Sequence, residues 1–272
     1  MPVLPPVLTS GSLFLYKMKI LPKDIINGKV RIPSSKSYAQ RAIALAGLSQ
    51  AVIVIDGLTD SHDVIAAQEI IKSLGAEFIR KNDELILAKG IDLNVNSEIS
   101  INCKEAGLST RLFSAFSLLY EQDFTVNGEG SINQRTMEMV IDGLEVFGKS
   151  IISNNTKLPL IISGKTSRNQ VEVEGSISSQ FLTGLLIVTP FLKSDSQIKV
   201  FGLKSKPYIE MTLDLMQHFG LKVKHENFEV FNIEGNQSIS KEINYKVEGD
   251  WSAASFHVVA AAIGGEVRLT GL

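Results

Sequence analysis

Short apolar strand-like runs and longer stretches of helical apolar spacing alternate along this chain, and their order repeats. From residue 30 the pattern predicts a strand, Val30-Arg31-Ile32, a small-residue loop, Ser34-Ser35-Lys36-Ser37, and an apolar helix over 39–48. A strand over 52–55 ends at Gly57, and an amphipathic helix over 64–74 closes at Gly75 before a third strand over 77–79. The same order returns with a strand over 100–102, the loop Ala106-Gly107-Leu108-Ser109, a helix through 119, a strand over 124–126, Gly128, a helix over 137–147 and Gly148. A third copy has a strand over 171–173, a serine loop over 176–179, a helix through 192, a strand over 198–201, Gly202, a helix over 209–219 and Gly220. Gly75, Gly148 and Gly220 recur about 72 residues apart, where a helix ending in a left-handed residue requires glycine.

A fourth copy opens at Tyr245-Lys246-Val247, passes Ser252 to Ser255 into a helix through 263, and makes a strand over 267–269 before Gly271-Leu272. In the earlier copies a second helix follows that glycine. The expectation is a chain that stops inside a repeat unit, since a strand seldom lacks the helix that covers it. Alternating strands and helices predict an α/β fold.

Composition narrows the partners. The chain has 272 residues, 44% of them hydrophobic, and its 27 basic and 29 acidic residues nearly cancel. No field of one sign points to nucleic acid or an anionic membrane. The single cysteine, Cys103, excludes an internal disulfide and is expected to be a small half-buried residue; the four histidines have no metal-site spacing. A reducing cytoplasm, with no metal and no cofactor, fits this usage. Residues 1–17 carry Pro2, Pro5 and Pro6 and no basic residue ahead of their apolar patch, unlike a signal peptide. They read as an extension, and no run approaches the roughly 20 apolar residues of a membrane span.

The chemistry is expected at helix N-termini, whose unpaired N–H groups and positive dipole end attract anions. All four first-half helices begin with small or hydroxyl residues, and packing around a common axis would bring those ends together. Simple N-capping by serine is the bland alternative. Lys36 and Arg41 lie on the first helix, Arg111 follows the second loop, and Arg135 opens the second helix of copy two. Arginine there opposes the dipole unless it has an anion to grip. Ser178, Ser179 and Gln180 offer groups for a polyol, and Ser205-Lys206-Pro207-Tyr208 forms another such cluster. Asp250 beside Trp251 is expected to cap the fourth helix.

Four segments resemble the 5-enolpyruvylshikimate-3-phosphate synthase family. Ser35-Lys36-Ser37-Tyr38-Ala39-Gln40-Arg41-Ala42 is similar to its Ser-Lys-Ser-x-x-x-Arg-Ala segment. Gly175 to Thr183, Ser205 to Leu213 and Gly249-Asp250-Trp251-Ser252-Ala253-Ala254-Ser255 follow in family order, so the resemblance spans nearly all of residues 18–272. It implies βαβαββ-like units in two globules, with 3-phosphoshikimate and phosphoenolpyruvate in the cleft between them. Residues 35–246 would form one complete three-repeat globule, and residues 18–34 and 247–272 parts of a second. The family adds the 5-hydroxyl of 3-phosphoshikimate to phosphoenolpyruvate and eliminates phosphate.

Carried over by position, Lys36, Ser37, Arg41, Ser178, Ser179, Gln180, Ser205 and Tyr208 are expected to bind 3-phosphoshikimate. Lys36, Gly107, Arg111, Arg135 and Gln180 are expected to bind phosphoenolpyruvate. The family's catalytic Asp and Lys would fall beyond Leu272, so no catalytic residue is expected within the chain and the chain alone is expected to be inactive. Glu105-Ala106-Gly107-Leu108 departs from the family's Asn-Ala-Gly-Thr, which puts contacts at this loop and sensitivity to glyphosate in question. Two competing readings are a UDP-N-acetylglucosamine enolpyruvyl transferase, against which Ser37 after Lys36 argues, and a non-catalytic remnant that binds an anionic ligand.

Overall fold

Capping chemistry sets the helix boundaries in the computed structural model, which describes residues 25–175 and 179–272; Ser178 and the first 24 positions lie outside them. Strand β1 (Ile26–Arg31) leads to α1 (Lys36–Gly47), whose N-cap Ser35 accepts from the Tyr38 amide at 3.4 Å. β2 (Ile53–Asp56) is followed by α2 (His62–Ser73), capped by Ser61, with Asp63 in its first turn and Lys72 in its last, each suited to the dipole. The hairpin β3 (Glu77–Lys81) and β4 (Glu84–Lys89) completes the unit.

The second unit is β5 (Ile99–Asn102), α3 (Gly107–Ser114), β6 (Phe124–Asn127), α4 (Glu138–Glu145), β7 (Ser150–Asn154) and β8 (Lys157–Ser163). The third is β9 (Gln170–Glu174), α5 (Ser179–Val188), β10 (Ser196–Phe201), α6 (Lys206–His218), β11 (Val223–Glu226) and β12 (Val230–Ile233). β13 (Ile243–Lys246), α7 (Trp251–Gly264) and β14 (Gly265–Thr270) end the chain. The expected helix through 119 is α only to Ser114 and then tightens to a 3-10 turn over Ala115–Leu119. There Ser114 and Ser117 donate to the carbonyls of Thr110 and Ser114, at 2.6 and 2.7 Å, competing with the backbone ladder. Thr189 Oγ1 and Pro190 end α5 in the same way. Gly75, Gly148 and Gly220 have φ of 97°, 93° and 82°, as the helix-stop reading requires.

The three units have the same sheet order, opening strand, second strand, last strand, third strand: β5-β6-β8-β7, β9-β10-β12-β11 and, for the first, β13-β2-β4-β3. The first sheet therefore takes its parallel edge from β13, in register from Ile243 opposite Ile53 to Lys246 opposite Asp56. β1 does not join it; it pairs in parallel with β14 in a separate two-stranded sheet. Sequence pattern assigned residues 30–32 to copy one and 245–247 to copy four, and pairing exchanges these neighbours.

Inside the three sheets lie α1, α3 and α5. In α1 every residue from Ala39 to Gly47 is buried, and α5 is buried almost all round, as expected of helices that face neighbours on every side. α3 and α5 approach so closely that a Cβ on Gly184 would stand 2.5 Å from the Leu112 carbonyl. Only glycine fits there.

Candidate functional site

Where α1, α3, α5 and α6 begin, the chain leaves an open cavity of about 530 Å³. α1 lines it with Lys36, Ser37 and Arg41, α3 with Gly107 and Leu108, and α5 with Ser179 and Gln180. Ser205 and Tyr208 enter from the start of α6, and Arg135 from the connection between β6 and α4. Arg135 does not open α4 as the pattern suggested; it directly follows a 3-10 turn over Gly130–Gln134, two residues before the Met137 cap. Convergence of helix N-termini holds for copies one to three. The start of α7 is not among the lining residues, and Asp250 caps it by accepting from the Ala253 amide at 3.0 Å.

Polar contacts, most of them buried, tie each pair of units together beside the cavity. Ser109 of α3 donates to Gln40 Oε1 of α1 at 2.8 Å, and Arg111 of α3 donates to Gln180 Oε1 of α5 at 3.0 Å. Arg41 of α1 joins the third unit. Its Nε donates to Thr212 Oγ1 at 2.9 Å, and its Nη2 to Thr183 Oγ1 at 3.2 Å and the Tyr208 carbonyl at 3.4 Å. Its Nη1 donates to the Ser37 carbonyl at 2.8 Å. Arg111 stands behind the cavity wall rather than among the lining residues, where it also donates to the Gly107 carbonyl.

Charge is distributed unevenly here. Arg41 is only 1% exposed, and burial pulls its guanidinium down to about 10. Burial, and then the nearby Arg135, lowers Arg111 as well. Among the described residues no ion pair involves Arg41, Arg111 or Arg135. Lys36 differs, pairing with Asp63 at 2.7 Å. Sequence reasoning gave no role to Asp63 or Gln40, both of which line the cavity, or to Thr183 and Thr212. Glu105, noted there only as a departure, lines it too and accepts from the Ser131 amide at 2.7 Å.

Arginines without carboxylate partners, Arg41 buried, Arg111 half-buried and Arg135 exposed, stand beside converging helix N-termini and make a receptor for an anion bearing several acceptor groups. A family model described as EPSP synthase (3-phosphoshikimate 1-carboxyvinyltransferase) matches residues 21–272. The chain belongs to the EPSP synthase family. It is similar to the 3-phosphoshikimate 1-carboxyvinyltransferase of Clostridium perfringens (strain SM101 / Type A), 38% identical over 257 residues, covering 94% of this chain and 60% of that protein. The Haemophilus influenzae (strain PittGG) protein of the same name is 35% identical over 268 residues, covering 95% and 62%. The chain thus spans about three-fifths of the length of these EPSP synthase relatives. An EPSP synthase structure from Acinetobacter baumannii superposes with a TM-score of 0.77 at 22% identity, covering 93% of this chain and 57% of that one, and so shares the fold.

Cys103 is fully buried rather than half-buried, and burial pushes its thiol up to about 12, so it is no nucleophile. Among the described residues no helix is long and apolar enough to cross a membrane.

Proposed function

We propose that this chain carries a substrate-binding half-site for enolpyruvyl transfer from phosphoenolpyruvate to the 5-hydroxyl of 3-phosphoshikimate. The observation that carries this reading is the set of cations, Arg41, Arg111 and Arg135, left without carboxylate partners around a cavity lined by helix N-termini. Lys36, Ser37, Arg41, Ser179, Gln180, Ser205 and Tyr208 are assigned to 3-phosphoshikimate, together with Ser178. Lys36, Gly107, Arg135 and Gln180 are assigned to phosphoenolpyruvate, with Arg111 acting on it through Gln180. In the reaction the 5-hydroxyl oxygen bonds to C2 of phosphoenolpyruvate and loses its proton while C3 gains one. The C2–O bond to phosphate then breaks, and C3 gives up a proton to restore the enol ether. Cations and helix termini favour charge on the carboxylates and on the departing phosphate.

The carboxylates that line the cavity are already engaged, Asp63 with Lys36 and Glu105 with the Ser131 amide, and neither is assigned as an acid or base. The chain alone is therefore proposed to bind without turnover. An open cavity leaves ligand charges hydrated, which places affinity in the millimolar range. Residues 35–246 are proposed as one folding unit, residues 18–34 and 247–272 as parts of a second, and the compartment as the cytoplasm. Titrating shikimate 3-phosphate into the chain under NMR, beside a phosphate-release assay, tests the reading. Saturable binding without phosphate release is expected, and no binding would refute it.

A further inference from the structure

Arg41 has an unusual set of partners for a buried cation. A guanidinium has five N–H donors, and four hydrogen bonds hold it, all to neutral acceptors: two threonine hydroxyls and two backbone carbonyls. The hydroxyl protons can be assigned by elimination. Thr212 Oγ1 lies 2.8 Å from the Tyr208 carbonyl, which can only accept, so the Thr212 proton points there. The 3.1 Å contact between Thr183 and Thr212 must then use the Thr183 proton. Each hydroxyl keeps a lone pair for Arg41: Thr212, which also accepts from Thr183, accepts from Nε, and Thr183 accepts from Nη2. Thr183 sits on α5 and Thr212 on α6, both fully buried, so the acceptors belong to the rigid interior of the third unit. One Nη1 donor remains beyond these four bonds, on a side chain that lines the cavity.

We infer that Thr183 and Thr212 are positioning residues. Their directed hydroxyl chain holds the Arg41 guanidinium in one orientation without neutralising it, so that its charge and its remaining donor are reserved for the bound anion. This rests on the assignment of Arg41 to 3-phosphoshikimate. A carboxylate in place of either threonine would hold the guanidinium as firmly but would cancel the charge the ligand needs. The same chain fixes the first turn of α6, because the Tyr208 carbonyl accepts from both Thr212 and Arg41. Tyr208 and Arg41 are thereby set relative to each other across the boundary between two units.

The test titrates shikimate 3-phosphate into the 272-residue chain under NMR and follows the Arg41 Nε–H cross-peak in a ¹H–¹⁵N spectrum. Thr212→Val is expected to weaken binding about tenfold and to shift that cross-peak in the free protein, whereas Thr212→Ser, which keeps Oγ, stays within about threefold of wild type. In an Arg41→Ala background Thr212→Val should add less than about twofold, which separates positioning from a general structural role. Thr183→Val serves as a second variant if Thr212→Val does not fold. Equal binding by wild type and Thr212→Val, or an undiminished effect in the Arg41→Ala background, would overturn the inference alone. No binding by the wild-type chain would overturn the site reading and this inference with it.

Discussion

Helices α5 and α7 start from similar sequence and end in opposite environments. Both carry a serine in the first turn, Ser179 and Ser252, and continue as mostly apolar runs, yet nine of the ten residues of α5 are buried, whereas in α7 only Ala254 among fourteen is. α5 lies between α3 and α6, while α7 packs on β14 and β1 and exposes Phe256 at 78% and Ile263 at 82%. Apolar content gives a helix the capacity to be buried; neighbouring elements decide whether it is. The same contrast extends to chemistry. Copies one to three direct their helix N-termini to a shared cavity, and the copy-four terminus, with no such neighbours among the described residues, is capped by Asp250.

The largest expected difference between the two regions is in hydrogen exchange. Amides of α5 open only with the whole unit and should exchange at least about a hundredfold more slowly than those of α7. Comparable protection would mean that α7 is as firmly held as α5. Next in size, Leu186→Ala in α5 should cost about 2–5 kcal/mol in urea denaturation, and Phe256→Ala in α7 no more than about 0.5 kcal/mol. Similar losses at both positions would erase the contrast.

A smaller effect concerns pH. Lys149, 4% exposed, donates to the carbonyls of Tyr120 and Gly164 at 2.7 and 2.6 Å, and burial pulls its ammonium down to about 8. Between about 8 and the ordinary lysine value the unfolded chain binds more protons than the folded one, so this group's contribution raises stability as pH climbs through that window. The rise should be about 1–3 kcal/mol and should flatten in Lys149→Met. A wild-type curve that falls over the same window in parallel with the variant would contradict the assignment. The smallest effect is expected at Asp63, whose carboxylate pairs with Lys36 at the cavity rim. Asp63→Asn should tighten shikimate 3-phosphate binding about two- to fivefold at low salt, and less at high salt; weaker binding would show that Asp63 helps hold the ligand.

Local chemistry made much of this architecture legible. The glycines that stop helices, the serines that start them and the apolar spacing depend only on neighbouring residues, and they located the repeat. The hairpin strands β4, β7, β8, β11 and β12 were not picked out residue by residue, although Asn155 and Asn227, with φ of 50° and 53°, carry the signal of a tight hairpin turn. The repeat pattern alone could not show the exchange of β1 and β13, because pairing Ile243 with Ile53 is a choice among equivalent parallel edges made far along the chain; only the family resemblance, which grouped residues 18–34 with 247–272, implied it. At the site, charged and hydroxyl residues at helix starts stood out. Thr183 did not, since a threonine inside Phe181-Leu182-Thr183-Gly184-Leu185 reads as packing until Arg41 is seen against it. Asp63 was hidden as an ordinary first-turn acid of α2.

The proposed half-site puts anion binding at the junction of copies one to three. Backbone amide shifts across a shikimate 3-phosphate titration test it most directly. Saturable shifts are expected to concentrate at residues 36–41, 107–111, 179–183 and 205–212, with residues 251–270 unmoved. Shifts concentrated on α7 and β14, or no saturable shift at the junction, would contradict it.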